Sequence, residues 1–137
     1  MVIMRLWHES LIPHLPRQQL LGQHRECCAL RGKGWGRPHA TVNYVFKHRF
    51  EKLVAYHFRV IDEMEKRGYE ANSLWRDAEY RGKKLGYISN DIDIIEAQNI
   101  YMESLTGKQI TIYPEHNDEY LQECLDNLRS KGIEISL

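Results

Sequence analysis

The sequence predicts an all-α fold, a single compact domain of three to four main helices with long irregular connections. Apolar residues recur at three- and four-residue intervals through four separate stretches of the 137-residue chain, each bounded by a residue suited to start or stop a helix. Against them stands one alternating run, Ile133-Glu134-Ile135, and one strand makes no sheet. The composition, 42% apolar and 28% charged, is that of an ordinary globular domain. A chain of this length buries roughly two thirds of its unfolded surface, which supplies a core without metal or disulfide staples.

The first helix follows Pro13 and Pro16 and runs to about Leu30, where the glycines of Gly32-Lys33-Gly34-Trp35-Gly36 stop it. At about 100° per residue, Leu20, Leu21, His24, Cys27 and Cys28 share one face; Gln18, Gly22, Arg25, Glu26 and Ala29 share the other. A longer second helix is predicted over residues 42–67, with Phe46, Phe50, Leu53, Val54, His57, Val60, Ile61 and Met64 at helical spacing and Gly68 as its C-terminal cap. His48, Lys52 and Arg59 line its back, a stripe that reads first as solvated surface. The third covers residues 90–105, with Ser89 or Asn90 as N-cap and Ile92, Ile95 and Met102 on one side. A fourth begins near Pro114 and runs through Tyr120, Leu121, Cys124, Leu125 and Leu128 to Gly132. No repeat or low-complexity tract divides the chain, so residues 1–137 are read as one domain.

Several function classes drop out. No apolar run approaches the roughly 18 residues of a membrane span, and Arg5, His8 and Glu9 interrupt any signal-peptide stretch, so a cytoplasmic location without membrane contact is expected. Cys27 and Cys28 are adjacent and Cys124 is alone, a pattern that offers neither zinc spacing nor a disulfide framework. Reduced buried thiols, with no metal and no cofactor, are the expectation.

The formal charge is zero, 19 Lys+Arg against 19 Asp+Glu, but it is divided along the chain. Residues 1–60 hold 10 Lys+Arg and 3 Asp+Glu, a balance of +7, whereas residues 61–137 hold 9 and 16, a balance of −7. A half so basic suits a polyanion, although the two halves of a folded monomer can equally attract each other.

Chemistry concentrates at Arg25-Glu26, on the polar face of the first helix. Glu26 has Gly22 four positions before it and Ala29 three after it, with no basic residue at three or four positions to form a helix-surface ion pair. Gly within a helix costs roughly 1 kcal/mol relative to Ala, so Gly22 reads as room for something to approach. On helix geometry alone, a solvated surface Glu is the first reading.

The pattern around the pair adds to this. Met4-Arg5-Leu6-Trp7, then residues 15–26 ending Gly22-Gln23-His24-Arg25-Glu26, and later Lys66-Arg67-Gly68-Tyr69, resemble the pyrimidine-dimer DNA glycosylase family, with a weaker likeness through Tyr87-Ile88 to Tyr113. The resemblance implies a DNA repair glycosylase coupled to an abasic-site lyase. It assigns the nucleophile to the terminal α-amine, here that of Met4, and proton transfer to Glu26. It also implies phosphate contacts by Arg5 and Arg25 and a DNA contact by Gln18. An α-amine has a pKa near 7.7–8.0 against about 10.4 for Lys, so an appreciable fraction is neutral and nucleophilic at physiological pH. Arg31, Lys33, Trp35 and Arg37, in or beside the glycine-rich loop, are further candidates for backbone contact, with Trp35 equally placed to anchor the loop on the core. The implied partner is damaged double-stranded DNA bound by a monomer at the nucleoid.

The chain departs from the family in three places. Met1-Val2-Ile3 precede the matching Met4-Arg5: a start at Met4 keeps its Met, because Arg5 is too large to permit removal, and sets the amine in the family's place, whereas a start at Met1 trimmed to Val2 displaces it by two residues; Met4 is the favoured start. Gln98 and Met102 stand where the family has basic residues, and after Tyr113 an acidic helix, 2 Lys+Arg against 6 Asp+Glu, replaces a basic aromatic tail. A noncatalytic nucleic-acid binder is the alternative reading; a small-molecule enzyme built on residues 1–60, which hold six of the seven His, lacks any triad or ligand spacing.

Overall fold

In the computed structural model, residues 6–32, 45, 47–88, 92–107 and 111–137 are described. Among them the chain is helical, with one isolated bridge between Tyr80 and Tyr87 and no strand. A 3-10 turn at Glu9–His14 leads into α1 (Arg17–Arg31); α2 (Phe50–Lys66) follows, then a 3-10 turn at Ser73–Arg76, α3 (Ile94–Ser104) and α4 (Asp118–Ser130). The all-α expectation holds. No described helix is long and apolar enough to cross a membrane.

α2 is the centre of the core because its sequence is apolar on more than one side. Leu53, Val54, Ala55, Tyr56, His57, Val60 and Ile61 are all fully buried, and the helix packs against both α1 and α3. Its end matches the expected cap. Gly68 takes φ +82°, and Tyr69 N–H donates to the Met64 carbonyl at 2.9 Å, a closure that a side chain at Gly68 would strain. Its start corrects the expectation of one helix over residues 42–67: Arg49 is extended (φ −64°, ψ 146°), so the long helix begins at Phe50. The side chains around that break reach other parts of the chain, His48 to Glu115 at 2.9 Å and Arg49 to Glu96 at 3.7 Å, with Arg49 also 3.5 Å from Glu51 in the first turn of α2.

α3 also starts later than expected, at Ile94 with Asp93 as its N-cap accepting from Glu96 N–H. Its packing side is not that of Ile95 and Met102, which are 74% and 52% exposed. Ala97 is fully buried instead, with Ile100 and Tyr101 packed on the core. A small residue lets α3 approach α2 closely, and Tyr101 Oη then reaches Asp62 Oδ2 at 2.7 Å. α4 begins at Asp118 under an Asn117 cap rather than at Pro114, and residues 131–137 form no strand. Tyr120, Cys124 and Leu128 insert into the single hydrophobic core.

Candidate active site

The polar face of α1 is arranged as its periodicity predicts. Gln18 and Arg25 are exposed, Gly22 and Glu26 half-buried, and Leu20, Cys27 and Leu30 buried on the opposite side. Gln18, Gly22, Arg25 and Glu26 line one open pocket of about 310 Å³, closed on its inner side by Trp7 and Gln23. A Cβ at Gly22 would meet only the Arg25 guanidinium, at 3.7 Å, so the space beside the helix is open apart from that side chain. The pocket therefore sets a carboxylate and a guanidinium side by side in a cleft. One can exchange a proton and the other can hold a phosphate oxygen.

Three expected contacts, Gln18, Arg25 and Glu26, are thus brought together. Met4, Arg5, Lys33 and Arg37, like Trp35, lie outside the described residues. Arg31 is a correction: it is fully buried, not a surface phosphate contact. Its guanidinium donates to the carbonyls of Trp75 (2.8 Å), Asp77 (2.8 Å) and Tyr80 (3.3 Å) and lies over the Trp75 ring. Burial, with Arg81 nearby, lowers its pKa to about 10. Beside it, a Cβ at Gly32 would stand 3.0 Å from the Arg81 carbonyl, so the end of α1 and residues 75–81 are locked together.

The expected absence of a ligand cluster is also corrected. His24, Cys28 and His57 each offer one ligand atom, all within 4.8 Å of one another. His24 and Cys28, four residues apart, share a face of α1 and meet His57 from α2. The hydrogen bonds fix how the cluster is protonated. Arg31 Nη1 donates to His57 Nδ1 at 3.0 Å, so neutral His57 carries its proton on Nε2 and donates it to His24 Nδ1 at 2.9 Å. That proton occupies the lone-pair direction a metal ion needs, and a cation replaces the acceptor that normally supports a ligating His. Burial and Arg31 hold His57 well below the usual histidine range, and burial pushes the Cys28 thiol up to about 11. The group is a neutral hydrogen-bonded relay with an un-ionised thiol.

Sequence reasoning missed the residues behind the pocket. Gln23 is 2% exposed, and its Oε1 accepts the Trp7 N–H at 2.7 Å, which also fixes the orientation of the amide. Tyr56 Oη lies 2.6 Å from the Trp7 carbonyl and 3.1 Å from Gln23 Oε1, so its single proton goes to the nearer carbonyl. The available signal was a polar residue, Gln23, in register with Leu20 and Cys27 on the apolar face. A family model described as pyrimidine dimer DNA glycosylase matches residues 4–77, more than half of the chain, and the chain belongs to that family. No curated protein and no solved structure matches it.

Proposed function

From membership of the pyrimidine dimer DNA glycosylase family, we propose that the protein excises a pyrimidine-dimer-type lesion from double-stranded DNA and then breaks the strand as an abasic-site lyase, acting as a monomer. The observation that carries this reading is the pocket itself: Glu26 and Arg25 face Trp7, three residues after the Met4 at which the family match begins. Three residues of chain span at most roughly 10 Å, so a terminal amine on Met4 is within reach of the same cleft.

The chemistry follows. The neutral Met4 amine attacks C1′ of the damaged nucleotide, the C1′–N bond breaks, and the base nitrogen takes up a proton while the base stays joined to its dimer partner. Loss of the amine proton and opening of the sugar leave an imine between the terminal nitrogen and C1′. Removal of a proton from C2′ then drives β-elimination: the C3′–O bond breaks, the 3′ phosphate leaves, and water releases the unsaturated sugar. Glu26 is the acid and base for these transfers. Arg5 and Arg25 hold phosphates around the lesion, Gln18 contacts the same strand, and Lys33 and Arg37 extend the basic track. No step requires a metal ion.

The test is borohydride reduction with abasic-site duplex. A covalent adduct on the terminal amine supports the reading, and no adduct from protein with a verified Met4 terminus sinks it. Glu26→Gln is expected to lower strand cleavage by about 10²-fold or more while retaining DNA binding. Equal loss of both would assign Glu26 to the fold instead.

A further inference from the structure

The backbone of Leu6 and Trp7 is held by side chains from three helices. Tyr120 Oη of α4 donates to the Leu6 carbonyl at 2.5 Å, Gln23 of α1 accepts the Trp7 N–H, and Tyr56 of α2 donates to the Trp7 carbonyl. All three side chains are buried, at 6%, 2% and 0% exposure. Two residues on, Glu9 N–H donates to His116 Nδ1 at 3.1 Å, and the buried Glu9 carboxylate accepts the Ile112 N–H at 3.0 Å. Leu or Phe would fill these core positions as well and would carry no desolvation cost. What the polar residues add is a fixed location for one dipeptide, at the inner wall of the pocket that holds Glu26.

We infer that Gln23, Tyr56 and Tyr120 are positioning residues that fix the point from which the terminal amine reaches the sugar. The inference rests on the reading of Met4 as the nucleophile. Clamping Leu6 and Trp7 limits the amine to a volume set by the short chain between, and effective concentration falls steeply when a reacting group is displaced. It also gives α4 a role in the chemistry. That helix lies beyond residues 4–77, yet its Tyr120 holds a carbonyl two residues from Met4.

The experiment measures single-turnover borohydride trapping on saturating abasic duplex, with the protein's terminus read by mass spectrometry and the adduct mapped. Tyr120→Phe deletes only a hydroxyl. The expected result is an about tenfold or greater fall in trapping rate. Affinity for the same duplex carrying a tetrahydrofuran site, which cannot form an imine, is expected to stay unchanged. Inserting one Leu between Met4 and Arg5 leaves every clamp bond and Arg5 in place but displaces the amine, and is expected to give the same signature. Tyr120→Phe that traps as fast as the parent overturns the inference, as does a loss of trapping matched by an equal loss of binding. Should Tyr120→Phe fail to fold, the insertion decides, and unchanged trapping there overturns it. A parent protein that forms no terminal adduct removes the underlying reading instead, a failure visible without any variant.

Discussion

Arg25 and Arg31 lie in one helix and in opposite environments. Arg25 is exposed at the pocket, whereas Arg31 is fully buried and holds the carbonyls of Trp75, Asp77 and Tyr80. Their substitutions should therefore separate. Arg25→Ala is expected to weaken DNA binding and reduce the slope of log affinity against log salt by about 1, with stability unchanged. Arg31→Lys leaves buried carbonyls without donors, at about 1–3 kcal/mol each, and should lower the unfolding free energy by several kcal/mol, read as a lower urea midpoint, with the salt slope intact. The opposite pattern would exchange the two roles. Arg25 was legible because an amphipathic helix reports its outer face by period alone. Arg31 was not, because its acceptors are main-chain carbonyls more than 40 residues away, which leave no mark in the sequence.

α1 is the element where reading and structure agree best. Its start, its end at Gly32 and its two faces followed from spacing, and so did the pocket residues Gln18, Gly22, Arg25 and Glu26. Gly22→Ala tests the element as a whole. The backbone there is helical, so the added methyl should raise helix stability by up to about 1 kcal/mol, read as a higher melting temperature. The same methyl narrows the cleft beside Arg25, so cleavage of damaged DNA is expected to fall as stability rises. A variant both more stable and equally active would remove Gly22 from the site. α3 was misread for a physical reason. Its apolar residues outnumber what one contact face can cover, and the side that packs is chosen by the small Ala97 and by the Tyr101–Asp62 hydrogen bond, leaving Ile95 outside. Tyr120 was hidden for the reason that hid Arg31: it finds its acceptor 114 residues away, on a backbone carbonyl.

Across the whole molecule, the division of charge has two meanings at once. Part of the basic half is engaged within the molecule: Arg31 is buried, and at the surface Arg49 pairs with Glu96 and His48 with Glu115 of the acidic half. DNA affinity should accordingly fall with salt less steeply than the slope of roughly −6 that seven phosphate contacts would give. Histidine sets the response to acid. Burial lowers the pKa of His57 well below its usual value and that of His116 to about 3, and both imidazoles already accept a hydrogen bond at Nδ1, from Arg31 and from Glu9 N–H. Above the unfolded-state pKa of about 6.5 neither group affects stability. Below it the unfolded chain takes up protons that the folded chain refuses, so stability is lost as pH falls towards the folded-state values, by on the order of 1 kcal/mol per pH unit for each group. Glu9 acts the other way. Burial raises its pKa, so its contribution is present at low pH and lost as pH rises past about 4.5, and it offsets the histidines only at the acid end. The melting temperature is therefore expected to hold steady from pH 8 to about pH 6.5 and to drop between pH 6.5 and 5. His116→Asn, which keeps an acceptor for Glu9 N–H but does not titrate, should flatten that drop. A melting temperature constant down to pH 5 would mean that these imidazoles reach solvent, and with them the junction of Glu9, His116 and Tyr120 that secures the start of the chain.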